Sequence, residues 1–296
     1  MEDADVPVRK REGVTAMPYT PIVVTGCMRS GTSLLYSLLC TSPDAGPPMA
    51  PARYISDSLT LYRRYVGVDR PFADDYFSPG DDITAATRRF IRDRMDAAWE
   101  NCGRPSALVM RSVDLAPVVP LLADLLPDAR FVVSVRDPRD TITSMVKVAR
   151  KQRLLRVGKG SAVISRDISS LCKAYNGAYL PALRLLRRRS ELGPRIRFVR
   201  YEDAARNPAS ALAQLWQDIE LREGSLAPAS LNRRPSLLQI ATHRYWRSYI
   251  TELHNGPASA ESIGSHNAVL SKEEVARIER RCRLLLRHFG YVGRSG

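Results

Sequence analysis

The chain has 296 residues, of which 44% are hydrophobic and 26% charged, a globular composition that excludes wholesale disorder. The 45 basic residues exceed the 31 acidic ones by +14, which favours an anionic ligand. No apolar run reaches the ~18 residues of a membrane span, and the start lacks an apolar secretory segment, so we expect a cytoplasmic protein. Five cysteines without Cys-x-x-Cys spacing predict reduced thiols and no metal site.

Strand and helix patterns alternate along the chain after a charged N-terminal arm. We expect a flexible arm over residues 1–18 and a single domain over residues 19–296. The predicted strands cover residues 21–25, 107–110, 131–135 and 196–199. The predicted helices cover residues 33–39, 83–100, 116–126, 141–155, 169–189, 212–219 and 272–289. This alternation predicts an α/β fold, a parallel sheet flanked by helices.

A glycine-rich loop, Gly-Cys-Met-Arg-Ser-Gly-Thr-Ser at residues 26–33, joins the first strand to the first helix. Backbone amides at a helix N-terminus bind anions, and glycine lets the backbone approach a phosphate closely. Thr32 stands where a triphosphate-binding loop carries its lysine, so the loop predicts binding of a 5′-phosphate without magnesium. The expected contacts are Arg29, Ser30, Gly31, Thr32 and Ser33.

Two further motifs follow the third and fourth predicted strands. Arg136 ends the third strand and is followed by Asp-Pro-Arg-Asp and, one helical turn on, by Ser144. Asp137 suits a helix N-cap and Pro138 the first helical turn. Tyr201 ends the fourth strand. An anion site at the carboxyl ends of neighbouring parallel strands is the expected consequence.

The three motifs in this order resemble the sulfotransferases that use 3′-phosphoadenosine-5′-phosphosulfate (PAPS). The resemblance implies a P-loop NTPase-like sulfotransferase fold with helical insertions. It also implies that the glycine-rich loop binds the 5′-phosphosulfate, that Arg136 and Ser144 bind the 3′-phosphate, and that Tyr201 contacts the adenine. The family's C-terminal Arg-Lys-Gly loop is absent, and Gly264 and Ser265 stand in its place as expected 3′-phosphate contacts.

The activity implied by the resemblance is transfer of a sulfuryl group from PAPS to a phenol, alcohol or sugar hydroxyl. The acceptor is a small molecule or a glycan, the product nucleotide is adenosine 3′,5′-bisphosphate (PAP), and no metal is needed. Arg29 and Arg111 are the expected catalytic cations, Arg111 facing the acceptor, although a strand-end salt bridge is an equal alternative for it. We expect no nucleic acid partner. The oligomeric state stays open, with a homodimer as one alternative.

The general base is the part of the family pattern that this sequence does not match. Val113 occupies the place of the histidine used by many small-molecule members, and residues 46–53, in the region where other members carry a glutamate after the first helix, contain no carboxylate. Asp57 and Asp114 are the nearest carboxylates, and each is more simply a helix N-cap. Three alternatives stay open: the base comes from elsewhere, the acceptor is acidic enough to need little help, or an alanine at position 50 or 52 has replaced the base.

Two irregular segments, residues 43–82 and 224–264, are expected to flank the acceptor. Some of their aromatic side chains are expected to line the acceptor pocket, and at least half only to pack the insertions against the sheet. These aromatics are Tyr54, Tyr62, Tyr65, Phe72, Tyr76, Phe77, Tyr245, Trp246 and Tyr249. We expect His266 to be a loop residue. The basic stretch over residues 147–159 is expected to form a solvated helix face or, as the alternative, a flap over the nucleotide or acceptor. Two alternatives remain: a P-loop nucleotide or adenylylsulfate kinase, and a non-catalytic anion-binding protein of the same fold.

Overall fold

The computed structural model describes residues 16–67, 82–157, 163–227, 229 and 259–292. The predicted N-terminal arm therefore lies almost entirely outside the described residues. So do parts of the two irregular segments and part of the basic stretch 147–159.

A four-stranded parallel sheet forms the centre of the fold. Its strands are β1 (Thr20–Gly26), β2 (Ala107–Arg111), β3 (Arg130–Val135) and β4 (Ile196–Arg200), in the spatial order β2-β1-β3-β4. All four predicted strands are confirmed. The order places β1 between β2 and β3, so the residues that follow β1 and β3 leave the sheet side by side.

Helices cover both faces of the sheet, as predicted. In chain order they are α1 (Thr32–Leu39), α2 (Arg53–Gly67), α3 (Ile83–Asn101), α4 (Val119–Leu125), α5 (Pro138–Leu154), α6 (Ile168–Arg188), α7 (Tyr201–Arg206), α8 (Pro208–Asp218), α9 (Lys272–Arg281) and α10 (Arg283–His288). Short 3₁₀ turns cover Val113–Val118, Ser190–Arg195 and Ser265–Ala268.

The two central strands, β1 and β3, are buried along almost their whole length because each face of the sheet carries its own core, whereas the edge strand β4 carries Arg197 and Arg200. Ile22 and Val24 of β1 pack with α1 and α8 on one face, and Val23 packs with the larger helical layer on the other. A strand buried on both faces cannot show the apolar–polar alternation of a half-exposed one. The short, continuously apolar strand patterns in the sequence follow from this burial.

Three local predictions were wrong. The helix predicted over residues 116–126 is a 3₁₀ turn followed by α4, since Pro117 and Pro120 lack the N–H that a continuous helix needs. The helix predicted over 272–289 is divided at Cys282, whose backbone leaves the helical region. Neither Asp57 nor Asp114 is an N-cap: Asp57 lies within α2, and Ser112 caps the turn that contains Asp114.

Among the described residues, no helix has the length and apolar character needed to cross a bilayer. In the same part of the chain, no three or more His, Cys, Asp or Glu side chains are grouped as metal ligands.

Candidate active site

The glycine-rich loop is fixed against the end of β3. At Gly26, a Cβ atom would lie 2.3 Å from the carbonyl oxygen of Ser134, so only glycine permits this approach. Ser30 Oγ donates to the Ser134 carbonyl at 3.1 Å, and Ser134 Oγ donates to the Ser30 carbonyl at 2.7 Å. Tyr179 on α6 accepts from the Cys27 N–H at 3.1 Å and donates to the same Ser134 carbonyl. The loop is therefore held from two sides before α1 begins.

Gly31 ends the loop in the left-handed region (φ 95°), directly before Thr32 opens α1. A Cβ at Gly31 would lie 2.4 Å from Cδ2 of Tyr201, so the Tyr201 ring packs directly on the loop. Tyr201 is buried, and its hydroxyl is hydrogen-bonded to the carbonyl of Ser259 and the hydroxyl of Ser262. The predicted phosphate loop and the predicted adenine contact thus touch, although they lie far apart in sequence.

Arg29 and Ser144 are also in contact, although Arg29 was predicted to bind the 5′-phosphosulfate and Ser144 the 3′-phosphate. Arg29 has a positive φ of 70°, and its Nε donates to Ser144 Oγ at 3.1 Å. Ser144 lies in the second turn of α5, whose first residue is Pro138 and whose N-cap Asp137 accepts from the Arg139 N–H. The predicted cap and proline positions are therefore confirmed. The loop and the start of α5 form one polar surface.

Arg136 is buried between the loop and the Tyr201 ring. Arg136 is 6% exposed. Its Cζ lies 4.6 Å from the centre of the Tyr201 ring, and its Nη1 lies 3.5 Å from the Arg29 carbonyl oxygen. Its Nη2 donates to the Ser262 carbonyl at 2.6 Å. Its Nε is buried without a hydrogen-bond partner among the described residues. A buried, incompletely paired guanidinium at the carboxyl end of a strand is suited to an anionic ligand.

Arg111 reaches the first turn of α1 from the end of β2. Its Nη1 donates to Ser33 Oγ, and its Cζ lies 5.1 Å from the centre of the Tyr36 ring. Burial lowers the pKa of the guanidinium from its usual value, and Nε is buried with no hydrogen-bond partner in the described part of the chain. No carboxylate of the described residues forms a strand-end ion pair with Arg111. Arg111 adds a second cation beside the loop residue Ser33.

A loop near the C-terminus closes over the start of α5. The N–H of Gly264 donates to Asp140 Oδ2 at 2.7 Å, and Ser265 Oγ is 3.5 Å from Asp140 Oδ1. His266 contacts Asp140 through its backbone N–H and through Nδ1. Gly264 and Ser265 thus lie near the predicted 3′-phosphate residues, where they contact a carboxylate. Sequence reasoning did not single out Asp140 or Ser262, and the one available signal was a second Asp in the first turn of α5.

The match to a known family decides the classification. The sequence model described as the sulfotransferase family matches residues 21–223, which include the loop, α5 and Tyr201. The chain belongs to the sulfotransferase family.

Two relatives illustrate the similarity. The chain is 26% identical over 257 residues to carbohydrate sulfotransferase 1 of Danio rerio, covering 81% of this chain and 58% of that relative. Its structure is similar to the sulfotransferase domain from the curacin biosynthetic pathway, with a TM-score of 0.50, 17% identity, and coverage of 91% of this chain and 99% of that domain. The second likeness supports the predicted fold.

The positions where other sulfotransferases were expected to carry a base do not provide one here. The N–H of Ala52 donates to the Arg111 carbonyl at 2.8 Å, so an alanine lies against the end of β2. Asp114 Oδ2 lies 3.8 Å from Arg53 Nε, and Asp57 is exposed on α2. The described residues therefore bring cations and hydroxyls to the loop, and the base stays unassigned.

The expected acceptor aromatics are only partly described. Tyr62 is buried in α2 and hydrogen-bonded to Thr84, which is a packing role, whereas Tyr54 is 66% exposed and meets the Phe90 ring edge-on. Tyr65 is half-buried on the same helix. The following aromatics lie outside the described residues: Phe72, Tyr76, Phe77, Tyr245, Trp246 and Tyr249.

Proposed function

We propose that this protein transfers a sulfuryl group from PAPS to a hydroxyl group and releases PAP. The observation that carries the proposal is Arg136, which is buried at the carboxyl end of β3 with an Nε that has no partner among the described residues. Desolvating a guanidinium in this way is costly unless a ligand supplies charge-assisted hydrogen bonds. A 3′-phosphate is such a ligand.

The residues around Arg136 fit the rest of the nucleotide. The backbone amides at the N-terminus of α1, from Arg29 to Ser33, suit the 5′-phosphosulfate, although the Ser30 N–H also donates to the Cys27 carbonyl at 3.0 Å. Thr32 and Ser33 add hydroxyls. Ser144 would join Arg136 at the 3′-phosphate, and Tyr201 would contact the adenine. Gly264 and Ser265 would border the 3′-phosphate from the loop that Asp140 holds.

Arg29 and Arg111 would stabilise the charge that develops during transfer. When bound, PAPS would supply the sulfuryl group: its sulfur would form a bond to the acceptor oxygen as the bond to the 5′-phosphate oxygen breaks, PAP would leave, and the acceptor proton would pass to water. Negative charge then grows on the bridging oxygen and on the sulfuryl oxygens. Arg29 and Arg111 lie at a loop that is hydrogen-bonded to β3. They can therefore stabilise this charge with little rearrangement.

The acceptor class that we propose is a carbohydrate hydroxyl. The support is the similarity to a protein named carbohydrate sulfotransferase, of which this chain spans 58% of the length. The phenol alternative rests on a different observation, the alanine packed at the end of β2 where a carboxylate was expected. An acceptor site to which the described residues bring no base favours an acceptor that loses its proton readily.

A thermal-shift series with a transfer assay tests the proposal. PAP should raise the Tm to the same extent with and without EDTA, since a ligand that binds only the folded state stabilises it. A larger shift with ATP and magnesium would instead support the kinase alternative. Incubation with PAPS and either an oligosaccharide, p-nitrophenol or a simple alcohol should sulfate the oligosaccharide. PAP stabilisation without transfer to any of the three would support the non-catalytic alternative.

A further inference from the structure

We propose that Asp140 is a positioning residue for the 3′-phosphate site. It holds the loop over residues 262–266 in place, and that loop in turn fixes the orientation of Arg136. The inference rests on the proposed function, because it assigns Asp140 a part in recognising the same nucleotide.

The first observation is the number of donors that Asp140 collects from a distant segment. Asp140 is the third residue of α5 and is 1% exposed. It accepts from the N–H of Gly264 at 2.7 Å and from the N–H of His266 at 3.0 Å, and His266 Nδ1 lies 2.8 Å from Oδ1. A buried carboxylate with several donors, in the first turn of a helix, is the stable arrangement for such a charge.

The second observation is that the same segment contacts the nucleotide residues directly. The Ser262 carbonyl accepts from Arg136 Nη2 at 2.6 Å, and the Ser262 hydroxyl is 2.9 Å from the Tyr201 hydroxyl. Ser262 thereby holds one edge of the Arg136 guanidinium. The position of Ser262 depends in turn on the hydrogen bond from the Gly264 N–H, two residues further along the chain, to Asp140.

The backbone geometry at Gly264 explains why a carboxylate is needed at position 140. Gly264 has a positive φ of 77° and is followed by the short 3₁₀ turn Ser265–Ala268. The N–H groups of Gly264 and His266, on either side of Ser265, therefore both point toward the Asp140 carboxylate. With an amide in place of the carboxylate, its one oxygen cannot satisfy these donors together, and the added NH₂ group would face one of them.

Binding of PAP and of adenosine 5′-monophosphate to Asp140→Asn tests the inference, because these ligands differ by the 3′-phosphate. We expect the Kd for PAP to rise about tenfold or more, as for the loss of one charge-assisted contact, and the Kd for the monophosphate to change by less than about threefold. The matched control is Asp167→Asn. Asp167 is the exposed N-cap of α6, accepts from the Ser170 N–H, and should leave both Kd values unchanged.

A second variant covers the case in which Asp140→Asn does not fold. His266→Ala removes one donor to Asp140, and we expect a smaller rise in the Kd for PAP. His266→Asn, which keeps a side-chain donor, should recover part of the loss. Equal weakening of both nucleotides in the folded variants, or no weakening of PAP, would overturn the positioning role. Failure of the wild-type protein to bind PAP would overturn the proposed function instead.

Discussion

Replacing Arg136 by alanine should remove selectivity for a 3′-phosphate while leaving the remainder of the nucleotide site in place. The side chain is enclosed by the Tyr201 ring at 4.6 Å, the Arg29 carbonyl and the Ser262 carbonyl. None of these neighbours carries the negative charge that would compensate the guanidinium. The buried Glu202 carboxylate, which accepts from the Asp137 N–H, also interacts electrostatically with Arg136, and we expect the phosphate of the ligand to add to this compensation.

The size of the effect follows from that burial. A hydrogen bond to a charged group contributes about 1.5–3 kcal/mol. At about 1.4 kcal/mol for each factor of ten, the Kd for PAP should rise about 10- to 150-fold. Adenosine 5′-monophosphate lacks the 3′-phosphate, and its Kd should change little. The truncation also leaves the Ser262 carbonyl without its donor, so we expect a lower Tm as well.

Isothermal titration calorimetry of both nucleotides, well below the Tm of the variant, measures the two Kd values. Arg195→Ala is the matched control, because Arg195 is half-buried and, like Arg136, donates to backbone carbonyls, those of Ala129 and Leu126. It should lower the Tm without changing the ratio of the two Kd values. Equal losses for PAP and the monophosphate in Arg136→Ala would refute the reasoning and assign Arg136 to the fold.

Gly31→Ala should destabilise the protein more than Gly103→Ala, as compared by chemical denaturation. Both glycines have positive φ, which costs alanine about 1–2 kcal/mol, but only at Gly31 would the new Cβ collide with Tyr201, whereas at Gly103 nothing lies within 4 Å. A Gly31 variant no less stable than the Gly103 variant would show that the ring and the loop are not packed as described. Burial raises the pKa of the Cys27 thiol to about 12, so brief alkylation at pH 8 should modify the half-buried Cys102 first, as mass spectrometry would show. Early labelling of Cys27 would mean that the loop opens readily.

The chain's local structure could be predicted from its sequence with few errors. Four short apolar strands, a glycine-rich turn before a helix, and an Asp-Pro helix start are properties of neighbouring residues, and each is present in the structure. The errors were local too. One occurred where Pro117 and Pro120 interrupted an apolar helical pattern. Another was the capping role assigned to Asp57 and Asp114, since Ser112 is the N-cap of the turn that contains Asp114.

The strand–loop–helix units and the residue types that they present could be predicted from short stretches of sequence, because φ/ψ preferences and hydrophobic periodicity act over a few residues. Which of these units are in contact depends on how the chain folds as a whole. The sheet order β2-β1-β3-β4 brings Arg111 to Ser33 and Arg29 to Ser144, and packing of the C-terminal loop brings Ser262 to Arg136. These contacts join residues 78 to 126 positions apart. They depend on strand order and on the burial of both faces of the sheet, which no local pattern encodes.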